Sequence, residues 1–123
     1  MKVPITRSAV YVPKWRGNRD LPEVEQIRIE YRLLTAEQEE RFSSIAPEYE
    51  NDGKEVKVTR IKVETHANAI WAENVVKVFN FVGDDGKPVE NPIEVQKIPG
   101  VYGLITEVVA QIKRGIDEDQ ARN

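Results

Sequence analysis

The stretch Ile27-Arg28-Ile29-Glu30-Tyr31-Arg32-Leu33-Leu34-Thr35-Ala36-Glu37-Gln38 decides the fold class. In its first half Ile27, Ile29, Tyr31 and Leu33 alternate with Arg28, Glu30 and Arg32. Period two puts the apolar set on one face of a strand and the charges on the other. Such a strand suits an antiparallel sheet with one wet side. Thr35 then stands three residues before Gln38. That is the capping-box pattern, in which the hydroxyl and the amide side chain satisfy free backbone N–H groups at a helix start. A helix is predicted from Ala36 to about Ile45, with Phe42 and Ile45 as its main apolar contacts. Pro47 and the polar run from Glu48 to Gly53 end it. The chain therefore reads as α+β: a small antiparallel sheet packed with two to three helices, the C-terminal one amphipathic.

Toward the N-terminus, Ser8 to Val12 is a short apolar run stopped by Pro13, and reads as an edge strand. Lys14 to Pro22 holds Gly17, Asn18, Asp20 and Pro22, and reads as a loop. Toward the C-terminus, the segment from Lys54 to Arg60 stays open. Val56 and Val58 alternate like a strand, as do Ile61 and Val63, but out of phase, which implies a bulge. A helical face can also be drawn through Val58, Ile61, Thr65, Ala69, Ala72, Val76 and Phe79. The alanines favour a helix from about Ile61 to Glu73. Val75 to Val82 reads as a buried strand rich in Val and Phe, and Gly83-Asp84-Asp85-Gly86-Lys87-Pro88 as a turn or hairpin.

The last element follows Pro92 and Pro99. Val101, Leu104, Ile105, Val108, Val109 and Ile112 recur at the spacing of one helix face, the strongest such stripe in the chain. Gly100 suits its start, Lys113 and Arg114 suit the negative end of its dipole, and Gly115 suits its stop. Residues 1–123 read as a single domain, with 1–6 and 116–123 as flexible ends.

The chain of 123 residues has no cysteine, which excludes a disulfide framework, a thiol nucleophile and Cys-ligated metal centres. One histidine excludes a site built from several imidazoles. No cofactor is expected. The net charge of -3 combines a +3 front, residues 1–32, with a -6 rear. Opposite halves can pack against each other or against a second copy, so a homo-oligomer stays in view. The first residues lack the apolar run of a signal peptide, and no stretch of about 18 apolar residues occurs, so neither leader nor membrane span is expected. The expected location is the cytoplasm.

The candidate catalytic groups do not form constellations. The Gly83 to Pro88 segment has the wrong spacing for a phosphate loop. His66 has no nucleophile elbow around it, and the serines are only Ser8, Ser43 and Ser44. It reads as a surface or capping residue. Glu37, Glu39 and Glu40 belong on a solvated helix, and Asp117, Glu118 and Asp119 in a solvated tail. The reading is therefore a non-enzyme. Lys14-Trp15-Arg16 with Arg19 sets an aromatic ring among cations, which serves either base stacking or a protein interface. Trp71, among small residues in a helix, reads as core.

Two portions of the chain carry a family likeness. The first is Val12-Pro13-Lys14-Trp15-Arg16-Gly17-Asn18-Arg19-Asp20-Leu21-Pro22, followed by Glu25-Gln26-Ile27 and the capped helix at Thr35. The second comprises Trp71, Asn80-Phe81, the Gly83 to Pro88 turn, Gly100-Val101-Tyr102-Gly103-Leu104, Glu107-Val108-Val109 and the acidic tail. In this order the chain resembles the tail assembly chaperones of tailed bacteriophages and prophages. The resemblance implies a non-enzymatic protein of the bacterial host cytoplasm. It would cover the apolar tape-measure protein, keep it soluble and help recruit other tail proteins. The expected contact surface is the C-terminal helix, through Leu104, Val108 and Ile112, together with Trp15, Arg16 or Trp71. The alternatives are a tail-completion or head–tail joining component of the virion, and a nucleic-acid-binding regulator acting through the Lys14 to Arg19 loop.

Overall fold

The first strand, β1 (Ser8–Tyr11), pairs antiparallel with β2 (Arg28–Arg32), so that Ala9 faces Tyr31 and Tyr11 faces Ile29. This is a computed structural model, and it describes residues 1–2, 7–43, 48–51, 56–60 and 66–115. The alternation read in β2 is realised: Ile29 and Tyr31 are buried in the core, while Arg32 lies on the wet side.

Between these strands, Lys14 to Pro22 is more ordered than a loop. Residues Trp15–Asp20 form short 3-10 turns interrupted by a kink, with Arg16 at φ 49° and Gly17 at φ 72°. The cause is Asn18, which the sequence marked only as a turn former. Its buried side chain donates to the carbonyls of Pro13 (2.8 Å) and Ile27 (3.1 Å) and accepts from the Ile27 amide (2.7 Å). Asparagine supplies both donor and acceptor, so one side chain closes the excursion onto the start of β2.

The helix after β2, α1 (Ala36–Ser43), starts at the expected capping box. The Gln38 amide donates to Thr35 Oγ1 (3.1 Å), and the Thr35 amide donates to Gln38 Oε1 (3.0 Å). Phe42 is buried, and the expected contact at Ile45 lies outside the described residues. Thr35→Ala is expected to lower stability by about 1 kcal/mol, the usual worth of a cap, read as a shifted denaturant midpoint with unchanged slope.

Within the open segment, residues Val56–Arg60 form a strand. β3 (Glu48–Asn51) and β4 (Val56–Arg60) form a separate two-stranded antiparallel sheet. The predicted start of the next helix at Ile61 lies outside the described residues, and α2 spans Ala67–Asn74. Its buried residues are Ala67, Ile70, Trp71 and Asn74, whereas Ala72 is exposed. The helical face drawn through Ala69, Ala72, Val76 and Phe79 is therefore corrected. A strand, β5 (Val75–Phe79), begins at the residue after the helix, so that spacing ran across two elements of different period.

β5 pairs antiparallel with the other side of β2, giving the sheet order β1-β2-β5. The register slips between Glu30, which faces Lys77, and Tyr31, which faces Val75. Val76 is the extra residue of a bulge. That explains why Val76 and Lys77 are both exposed while Val75 and Val78 are buried. The strand predicted to reach Val82 ends at Phe79, and only one of its faces is buried. Asn80 takes a left-handed backbone, φ 62°, which asparagine tolerates better than most residues. Its side chain donates to the Val24 (3.1 Å) and Gln26 (2.9 Å) carbonyls.

The chain then doubles back over the open edge of β5. The turn closes with Gly86 N–H on the Gly83 carbonyl (3.0 Å), and the Val78 amide donates to the Glu90 carbonyl (3.2 Å). Sequence reading missed the next helix, α3 (Pro92–Gln96). Its signal was present: the Asn91 side chain caps the Ile93 amide (2.9 Å), and Pro92 fills the first turn, where no N–H is needed. The last helix, α4 (Tyr102–Arg114), has the expected stripe and stops at Gly115, φ 90°. It packs against α2 and reaches β2. The observed fold is α+β, and among the described residues no helix is long and apolar enough to cross a membrane.

Candidate protein-binding groove

The residues proposed from sequence as contacts divide into two groups. Trp71, Leu104, Val108 and Ile112 are core residues, with Trp71, Leu104 and Val108 0% exposed. Trp71 donates its indole N–H to the Pro92 carbonyl (2.8 Å), which satisfies its one polar group inside the fold. These four side chains are corrected as contact residues: the stripe on α4 is the core-facing side of the helix, and no partner reaches it in this fold. Trp15 and Arg16 are different. Trp15 is half-buried and Arg16 is exposed.

Trp15 lies nearly parallel to Phe81, with ring centroids 6.3 Å apart and 13° between planes. The Arg16 guanidinium sits over the Trp15 ring, 4.5 Å from its centroid, and reaches toward the Gly100 carbonyl (3.5 Å). These groups bound an open recess of about 820 Å³. Trp15, Ile27, Phe81 and Val89 give it apolar walls, and Leu21 and Val82 line it while staying 45% and 57% exposed. Its charged lining is Arg16, Glu25, Asp84 and Asp85. A concave surface with apolar walls and a few polar groups at its edge is a candidate binding site. Residues of both portions that carry the family resemblance meet at this one recess: Trp15, Arg16 and Leu21 from the first, and Asn80, Phe81, Asp84, Asp85 and Val101 from the second.

The two arginines of the Lys14 to Arg19 loop are engaged within the molecule. Arg19 Nε donates to the Val12 carbonyl (2.9 Å), and its guanidinium lies 5.6 Å from the Tyr11 ring centroid. With Arg16 over Trp15 and three carboxylates nearby, the recess presents phosphate with repulsion rather than a cationic track.

His66 precedes α2 at its N-cap position, but its side chain makes no capping bond; its ring instead lies 5.2 Å from Phe42. Glu37, Glu39 and Glu40 are exposed on α1, as expected, and Asp117, Glu118 and Asp119 lie outside the described residues. Among the described residues no group of three or more metal-ligating side chains is gathered. On α1 and α2, Arg41 bonds Glu73 and holds its carboxyl below the usual range.

Sequence reading missed Glu107. Its Oε2 accepts from the Tyr11 hydroxyl (2.7 Å) and from the Lys14 amide (2.7 Å), tying the end of β1 to α4 beside the recess. Burial first, then the bond to Glu107, pushes the Tyr11 hydroxyl up to about 12 from its ordinary 10.0. A raised acid favours the folded state while neutral. Its contribution is therefore complete below pH 10.0 and is lost as pH rises toward about 12. Denaturant stability is expected to fall across that window, in step with tyrosinate absorbance. Glu107→Gln is expected to shift the Tyr11 titration downward.

Comparison with protein-family models, with curated proteins and with solved structures finds no match for this chain.

Proposed function

We propose that the protein is a non-enzymatic tail assembly chaperone of a phage or prophage, which holds the tape-measure protein in the host cytoplasm before tail completion. The observation that carries this reading is the recess walled by Trp15 and Phe81, with Leu21 and Val82 exposed on its lining. A chaperone for apolar helices needs such a surface on a body that stays soluble by itself. Here 32% of residues are charged, and Leu21 and Val82 put exposed apolar surface on the lining of the recess. The partner is named by the resemblance, and residues of both its portions line the recess, Trp15 and Leu21 from the first and Phe81 and Asp84 from the second.

A pulldown of a cognate tape-measure fragment by the purified protein tests this. Capture is expected, together with absence of the protein from finished particles by mass spectrometry. No capture contradicts the proposal. Presence in finished particles favours a tail-completion or head–tail joining component instead.

A further inference from the structure

We infer that the recess takes a basic amphipathic segment, an apolar anchor side chain flanked by lysine or arginine. The inference rests on reading this recess as the partner site, and it states the chemistry of what enters. Two features carry it. The first is charge. Glu25, Asp84 and Asp85 line the recess from two separate segments, and the one lining cation, Arg16, is engaged by the Trp15 ring and directed at the Gly100 carbonyl. Lys87, on the same turn as the two aspartates, is exposed and lies outside the lining. An occupant therefore meets an apolar wall edged by carboxylates. A cation beside the anchor is attracted there, while an acidic segment is repelled.

The second feature is preorganisation. Among the described residues the non-glycine positions with left-handed backbone are Arg16, φ 49°, and Asn80, φ 62°, and both line the recess. Asn80 clamps the end of β5 to the Val24 and Gln26 carbonyls, fixing the Phe81 wall against the segment that carries Glu25. Asp85 Oδ1 accepts from the Lys87 amide (2.9 Å), which sets the aspartate turn. Backbone strain held by specific side-chain bonds at one recess fits a surface whose shape is set before binding.

The test uses the full chain and three synthetic amphipathic peptides: leucine with lysine, leucine with glutamate, and serine with lysine. Calorimetry is expected to show the leucine–lysine peptide binding at least about tenfold tighter than either other peptide. In Glu25→Lys/Asp84→Lys, where both side chains are exposed, the preference between lysine and glutamate peptides is expected to reverse. Val82→Ser is expected to weaken the leucine–lysine peptide. Equal affinity for the two leucine peptides overturns the inference, as does a preference unchanged in the double variant. Equal binding of the serine–lysine peptide overturns it as well, because surface charge would then suffice. Self-association of the chain that Val82→Ser abolishes would assign the recess to a second copy and also overturn it. A tape-measure fragment bound equally by wild type and double variant removes this inference while leaving the chaperone proposal standing. Peptide discrimination without tape-measure capture does the reverse.

Discussion

Trp71→Ala is expected to destabilise the fold by about 3–5 kcal/mol, the range for truncating a large aromatic residue in a core. Its indole is fully buried on α2, whose neighbours include α3 and α4. Removing it leaves a cavity where the helices meet the sheet and strips the Pro92 carbonyl of its donor. A domain of this size holds about 5–15 kcal/mol in all, so the variant loses a large part of its margin. Chemical denaturation followed by circular dichroism reads the change. Tyr102→Ala, at a side chain 47% exposed on the same helix as the core stripe, is expected to stay within about 0.5 kcal/mol of wild type. Wild-type stability in Trp71→Ala would place the indole outside the core and restore it as a contact residue.

Leu21→Ser/Val82→Ser is expected to weaken binding of a tape-measure fragment by about tenfold to a hundredfold, while the melting temperature stays close to wild type. Apolar anchors in an interface commonly cost more than about 1 kcal/mol each when truncated, and every 1.4 kcal/mol is about tenfold. Both side chains are exposed in the free protein, so little core packing is lost with them. Titration calorimetry with a parallel thermal melt separates the two effects. Unchanged affinity would move the binding surface away from the recess.

What the sequence disclosed was local. The alternation in β2 and the Thr35–Gln38 box each depend on a few consecutive residues, and both appear as read. The α4 stripe was equally clear because thirteen residues keep one period. Its use was misjudged: an amphipathic stripe states that a face is covered, not whether the cover is the chain's own core or a partner. The α2 face failed for another reason, since a short helix passes into β5 without a linker and mixes the two periods.

The recess was the least visible feature. Trp15, Phe81 and Val101 are far apart in sequence, and bonds from Asn18, Asn80 and Arg16 to backbone carbonyls help hold their segments together. Trp15 and Arg16 could be flagged as an aromatic beside a cation. Phe81, Leu21 and Val82 carried no comparable mark. Glu107 carried no mark of its own in the sequence, because its partners Tyr11 and Lys14 lie more than ninety residues away.

The binding role of the recess can be read directly from magnetic-resonance spectra of the isotope-labelled chain titrated with a cognate tape-measure fragment. The two tryptophans report from opposite settings, Trp15 at the recess and Trp71 in the core. The expected result is a shift of the Trp15 indole N–H and of backbone amides near Leu21, Asn80 to Asp85 and Val101, with the Trp71 indole unmoved. Shifts confined to α1 or to the charged side of β2, with Trp15 unmoved, would contradict the proposal.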